Sequence, residues 1–230
     1  MRNNVRAAPV IKWAGGKTQL RDEILKRVPD NFSTYYESFI GGGAVLFALC
    51  PKKAVINDVN SELINIYQVI RDDVDALVSD LKKHENSSEY FYNLREKDRD
   101  TESFHRLSPV EKASRIIYLN KTCYNGLFRV NRAGEFNAPY GFYKNPNIVN
   151  EPVLRAVSQY FNSAEIRFSC MDFEESLKSI EKDCFVYLDP PYDPVSTTAN
   201  FTGYDKGGFN KGEQIRLKNV CDRLNKMGIR

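Results

Sequence analysis

Histidine and tryptophan are scarce: the 230 residues include two histidines, His84 and His105, and one tryptophan, Trp13. So few imidazoles argue against a histidine-based triad or metal centre. The five cysteines (Cys50, Cys123, Cys170, Cys184, Cys221) are odd in number, far apart and without a CxxC pair. That excludes a zinc ribbon and a disulfide framework, and a reducing, cytoplasmic compartment is expected. No apolar run approaches the ~18 residues of a membrane span, and no apolar signal region follows the basic residues 1–9. Internal repeats and low-complexity tracts are also lacking. What remains is an ordinary globular composition, 42% hydrophobic and 27% charged. It is enough for one large domain, or for one domain carrying a sizeable insertion.

The net charge of +3 becomes informative once it is located. Residues 106–147 hold seven basic residues (Arg106, Lys112, Arg115, Lys121, Arg129, Arg132, Lys144) against Glu111 and Glu135, so this stretch is +5 and the rest of the chain −2. Tyr118, Tyr124, Phe128, Phe136, Tyr140, Phe142 and Tyr143 are interleaved with them. Cations that neutralise phosphates, mixed with rings that stack on bases, suit a nucleic-acid surface. A merely solvated helix–loop segment has the same composition.

Hydrophobic periodicity divides the chain into three parts. After Gly15-Gly16, the spacing of Leu20, Ile24, Leu25 and Val28 predicts a helix ending before Pro29. A strand over residues 35–40 stops at Gly41-Gly42-Gly43, a helix spans residues 44–49, and a strand over 54–57 delivers Asp58 at its carboxyl end. A helix starts at Ser61 and breaks near Asp72-Asp73. This strand–glycine turn–helix–strand–acid order is the first half of a Rossmann-like α/β sheet. Residues 72–152 then show helices and turns but no core strand. Ser108-Pro109-Val110-Glu111 is a capping box with proline at the first helical position, predicting a helix to about Thr122. Strands resume at residues 166–168 and 184–188, the latter an apolar run suited to a buried parallel strand. A last helix, residues 213–227, turns Ile215, Leu217, Val220 and Leu224 to one side. A crossover helix exists to reach a further parallel strand, so the sheet's C-terminal strands are expected to be missing. The predicted fold class is thus an α/β sheet interrupted by a mainly helical insertion, with residues 1–71 and 153–230 as one domain and 72–152 as the other.

Three constellations carry chemistry. Asp189-Pro190-Pro191-Tyr192 follows the strand at 184–188, and consecutive prolines fix a rigid turn there. A carboxylate, the Pro190 carbonyl and a forward-pointing ring suit a planar substrate bearing an exocyclic amine. The second is Phe39 with Gly41 and Gly43, a glycine turn that lets a ligand approach the backbone. Asp58 follows it at the next strand end, where such folds hold ribose hydroxyls. The alternative for Asp58 is an acid placed at a helix N-terminus by the helix dipole. The third, Lys12-Trp13-Ala14-Gly15-Gly16-Lys17-Thr18, imitates a phosphate loop, but Ile11 stands where that loop needs its first glycine, and an ATPase reading is rejected.

Together these motifs resemble the Dam-type DNA adenine methylases, in order and over nearly the whole chain. They are KWAGGK at residues 12–17, the FxGxG turn at 39–43, IND at 56–58, YNGL at 124–127, GEFNAPYG at 134–141, YKNP at 143–146, DPPYDP at 189–194 and ANFTGY at 199–204. Ser38 stands where the family commonly has proline, and the family continues with further strands beyond residue 230. The resemblance implies an S-adenosylmethionine cofactor held by Trp13, Lys17, Phe39, Gly41, Gly43, Asp58, Asp172, Phe173 and Asp189, with Asp172-Phe173 at its adenine. It implies catalysis by Asp189, Pro190, Pro191 and Tyr192 on an adenine flipped out of duplex DNA, in GATC. The insertion becomes a target-recognition domain, in which Lys121, Asn125, Arg129, Asn131, Arg132, Glu135, Asn137 and Lys144 are the candidate DNA contacts. Neither a metal nor a membrane is implied. Competing readings are an amino-methyltransferase for cytosine N4 or RNA, and a truncated, inactive DNA-binding fragment.

Overall fold

The computed structural model describes residues 5–13, 15, 17, 20–191 and 209–229. Strands β1 (Tyr35–Glu37), β2 (Lys53–Asn57), β3 (Glu165–Ser169) and β4 (Phe185–Tyr187) form one parallel sheet in the order β3-β2-β1-β4. β1 is shorter than the run at residues 35–40, because the chain leaves the ladder at Ser38 and the Ile40 amide turns back to the Asn57 carbonyl at 3.0 Å. β4 also differs from expectation. Its three residues are half-buried, and among the described residues it pairs only with β1.

Around the sheet lie α1 (Arg21–Leu25), α2 (Ala44–Leu49), α3 (Ser61–Asp72), α4 (Val74–Leu81), α5 (Ser88–Glu96), α6 (Thr101–Arg106), α7 (Pro109–Thr122), α8 (Glu151–Ser163), α9 (Phe173–Ser176) and α10 (Lys211–Lys226). The break between α3 and α4 falls where expected, with the Asp73 side chain accepting from the Ala76 amide. α7 starts at Ser108 with both arms of the capping box formed. α8 is an addition to the expected elements, its apolar side made by Leu154, Val157 and Phe161.

Alternation along β1 sorts the core into two faces. Tyr35, Ala54 and Ile56 join the larger cluster, with residues of α2, α3 and α8. Tyr36 faces the other way, toward Phe173, Leu177, Cys184 and the Leu217, Val220, Leu224 stripe of α10. Helices on both faces make the sheet doubly wound. Ile215 is exposed, so it does not share that stripe: two helical residues before Leu217, it points away from the sheet.

Residues 72–152 contribute helices and two isolated antiparallel bridges, Cys123–Tyr140 and Val130–Phe136. α7 packs on α3 and α4, so the larger cluster runs unbroken from Val10 through this segment to Ile166. Among the described residues, no helix is long and apolar enough to cross a membrane.

Candidate active site and nucleic-acid interface

Strand register fixes the site. Glu37 on β1 lies opposite Ile56 on β2 and Tyr187 on β4. Two residues further along the chain from each come Phe39, Asp58 and Asp189, just beyond the carboxyl ends of three neighbouring strands. The strand order reverses between β1 and β4, so this is a topological switch point, where open α/β sheets bind ligands. Asp58 and Asp189 are two strand spacings apart, about 10 Å between backbones.

Two backbone amides orient Asp58: Gly41 N–H donates to Oδ2 at 3.1 Å, and Asn60 N–H donates to Oδ1 at 3.0 Å. The cap of α3 is Asn60, whose side chain accepts from Leu63 N–H at 3.1 Å. Capping therefore does not explain Asp58. The carboxylate instead ties the β2 end to the glycine turn. In that turn Gly41 has φ +47° and Gly43 has φ +71°, the left-handed region. A Cβ on Gly41 would sit 2.7 Å from the Trp13 ring, and one on Gly43 would sit 2.8 Å from the Phe47 ring. Close packing by these two rings thus demands glycine there. Tyr67 O–H closes the turn by donating to the Gly41 carbonyl at 2.6 Å.

Asp189 is half-buried and ion-paired to Lys17, Nζ to Oδ1 2.7 Å, and Lys17 also donates to the Gly15 carbonyl at 2.7 Å. Beneath both acids lies Glu37, buried on the sheet's larger-core face. Burial raises its carboxyl well above the ordinary glutamate value, and the nearby Asp189 and Asp58 charges push it further. Tyr35 O–H, donating at 2.8 Å, opposes that rise. Pro190 and Pro191 are half-buried at the end of β4. Tyr192, Gly16 and residues 199–204 lie outside the described residues.

Asp172 and Phe173 follow β3. Asp172 caps α9, accepting from Glu174 N–H at 3.0 Å, and it pairs with Arg216 at 2.6 Å. Phe173 is buried against Phe39 at 5.4 Å between ring centroids, with the Arg216 guanidinium 4.9 Å from its ring. Ser38, at the position noted above, bonds the Ser176 hydroxyl at 2.9 Å.

The basic segment is less open than its composition suggests. Arg115 is buried and paired to Asp98 at 2.7 Å, Arg106 pairs with Glu102 at 3.3 Å, and Lys121 is largely covered. Burial, helped by the nearby Lys12, lowers the Lys121 amine. Tyr118, Phe128, Phe136 and Tyr140 belong to the core, whereas Tyr124, Phe142 and Tyr143 are exposed. Residues 129–137 form a hairpin whose candidate contacts pair with one another. Arg129 Nε donates to Asn137 Oδ1 at 2.8 Å, and Asn131 Nδ2 donates to Glu135 Oε2 at 2.6 Å. Arg132 is exposed at its tip, and Asn125 and Lys144 are exposed as well.

Sequence reasoning missed the supports. Asp98 accepts from Arg115, from Arg99 and, at 2.8 Å, from the Phe136 amide, while Arg99 donates to the Phe136 carbonyl at 2.8 Å. The missed signal for Arg115 was a charge on the apolar side of α7.

Fold and site together define a doubly wound α/β enzyme with carboxylates ranged along its switch point. Over residues 13–230 the chain matches the model of the D12 class N6 adenine-specific DNA methyltransferases, and it belongs to that family. It is 44% identical to the type II methyltransferase M1.LlaDCHI of Lactococcus lactis subsp. cremoris over 230 positions, 99% of this chain and 81% of that protein. It is 41% identical to the type II methyltransferase M.MjaIII of Methanocaldococcus jannaschii, across 96% of this chain and 82% of that protein. With the DNA adenine methylase of Escherichia coli K12 the identity is 32%, across 93% and 75%. The chain is an adenine-specific DNA methyltransferase.

Proposed function

We propose that the enzyme transfers the methyl group of S-adenosylmethionine to N6 of an adenine flipped out of duplex DNA, within GATC. The observation that carries this is the placement of Asp58 and Asp189 just past the carboxyl ends of β2 and β4, the two strands flanking β1 and its glycine turn. The cradle fits the cofactor. Asp58 suits the ribose hydroxyls, and the glycine turn with Trp13 and Phe39 gives a close, apolar wall. Asp172 and Phe173 stand at the β3 end for its adenine, with Arg216 as the partner that Asp172 would share. The bound sulfonium supplies an already activated methyl group.

The chain's own residues do the rest. An exocyclic amine conjugated to its ring is a poor nucleophile. Asp189 and the Pro190 carbonyl, accepting its two N–H bonds, would aim the nitrogen lone pair and stabilise the positive charge that develops there. Lys17 occupies Asp189 in this structure, so it moves aside or keeps one carboxylate oxygen as substrate arrives. Tyr192 is assigned the stacking role that a flipped base requires. The mainly helical segment 72–152 is assigned target recognition, with Arg132, Asn125 and Lys144 meeting DNA first and the hairpin pairs Arg129–Asn137 and Asn131–Glu135 opening toward bases or phosphates. Relatives named type II methyltransferases favour a restriction–modification setting, and a DNA substrate agrees with a cytoplasmic location.

Transfer of labelled methyl from S-adenosylmethionine to duplexes with and without GATC, to cytosine-only targets and to RNA tests this reading. Label confined to GATC duplexes, lost in Asp189→Ala while DNA is still bound, is the expected result. Near-normal turnover by Asp189→Ala, or equal labelling without GATC, overturns the corresponding part.

A further inference from the structure

We propose that Asn120 is a positioning residue that couples duplex binding to cofactor binding, by clasping the strand of chain that carries Trp13. This rests on the functional reading above. Asn120 is a polar side chain within the apolar run of α7 and is 1% exposed. Its Oδ1 accepts from Lys12 N–H at 2.8 Å, and its Nδ2 donates to the carbonyls of Lys12 at 2.8 Å and Gly126 at 3.0 Å. One amide thus grips both backbone groups of Lys12 and the Gly126 carbonyl, three residues ahead of hairpin 129–137. Such a fully bonded buried amide fixes a geometry, because a replacement that cannot match its partners leaves buried polar groups unpaired.

Beside that grip, Trp13 is held from two sides. Its ring stacks on Phe128 at 4.7 Å and 24°, and it fills the space where a Cβ on Gly41 would lie, 2.7 Å away. Phe128 in turn meets Phe136, across the hairpin, edge-on at 5.7 Å. Four residues past Trp13, Lys17 reaches Asp189. Contacts therefore link hairpin 129–137 through Phe128 to Trp13 and the glycine turn, while Asn120 holds Lys12, the residue before Trp13, and Lys17 meets the Asp189 carboxylate. A duplex that settles on the hairpin moves or stiffens this strap, and the cofactor wall moves with it. Thermodynamic reciprocity then requires cofactor to favour duplex by the same factor.

The full chain provides its own reporter, because Trp13 is its single tryptophan. The dissociation constant of S-adenosylmethionine is measured by calorimetry with and without saturating GATC duplex, while Trp13 emission is recorded. The expected wild-type result is cofactor binding at least about fivefold tighter with duplex present, together with a change in Trp13 emission when duplex alone is added. In Asn120→Asp, which keeps the side-chain shape but sets a carboxylate oxygen against two carbonyls, each ligand should still bind and the ratio should fall toward one. Phe128→Leu, which keeps the clasp but removes the ring under Trp13, should lower the ratio in part and decides the matter if Asn120→Asp does not fold. A wild-type ratio of one, or the full ratio retained in a folded variant, overturns the coupling. A wild type that binds neither ligand overturns the functional reading and the coupling with it, whereas one that binds both independently overturns the coupling alone.

Discussion

Replacing Asp98 with alanine tests how the hairpin of residues 129–137 is anchored. Asp98 is 10% exposed and faces Arg115, 1% exposed, at 2.7 Å, and it also accepts the Phe136 amide at 2.8 Å. Removing one member of a buried ion pair costs about 3–5 kcal/mol, because the other charge is left in the interior without compensation. Arg115 would keep its bonds from Nε to the Leu94 carbonyl and from Nη2 to the Arg95 carbonyl, which limits the loss. Its Nη1 already has no hydrogen-bond partner, with Glu62 no nearer than 3.8 Å. The orphaned Phe136 amide adds about 1–3 kcal/mol, not additive with the first. A net loss of about 4 kcal/mol is expected. For a chain of this size each kcal/mol moves the melting point by about 2–4 °C, so the drop should be roughly 10 °C. Circular dichroism melts of Asp98→Ala, Arg115→Met and the double variant give the assay. The double variant should recover part of the loss, since no buried charge is then stranded. A drop under about 2 °C for Asp98→Ala, or simple additivity in the double variant, would refute the argument.

Glu37→Gln addresses pH. The folded-state carboxyl is raised far above the ordinary value near 4.5, chiefly by burial, so the folded chain holds this proton to higher pH than the unfolded chain does. Glu37 therefore makes stability fall as pH rises from about that value toward the raised one. A permanently neutral glutamine should flatten the decline, and identical pH slopes of denaturant stability for the two proteins would contradict this. If the proposed DNA contact is right, exposed Lys144→Ala should weaken binding alike across sequences and lower the salt slope by about one. Lys121→Ala, at a covered site, should instead reduce thermal stability, and a pure salt-slope effect from Lys121 would place it on the phosphate backbone after all.

Much of the fold was legible because it rests on local signals. The capping box at Ser108 and the break at Asp73 each follow from a few adjacent residues, and the strands ending at Asp58 and Asp189 follow from short apolar runs closed by turn residues. The position of both acids follows as well, since a parallel strand must deliver its next residue to the sheet's carboxyl edge. What composition could not resolve was which charges remain available. Arg115 and Arg132 look alike in a string of letters, yet one is 1% exposed inside α7 and the other stands at a hairpin tip. The glycine turn was located correctly, and the fold adds a second reason for glycine there. At residue 41 the space a side chain would need belongs to Trp13, nearly thirty positions earlier in the chain.

Buried polar residues are where pattern reading fails in this chain, for one physical reason. Asn120 and Glu37 break the apolar periodicity of their surroundings and Asp98 sits within a run of charged residues, so a periodicity argument discounts all three. Each carries a desolvation cost that its partners must offset, and for Asn120 and Asp98 those partners are distant in sequence. For Asn120 these are the backbone groups of Lys12, 108 residues away, and for Asp98 the Phe136 amide, 38 residues away. Such partners cannot be identified before the chain is folded, but the cost itself can be read from the residue type. A polar side chain in a helix stripe that must be buried therefore predicts that some distant segment is tied there. In this enzyme the segments so tied are the strap bearing Trp13 and the hairpin of residues 129–137, the two parts that link DNA recognition to the cofactor wall in the reading proposed above.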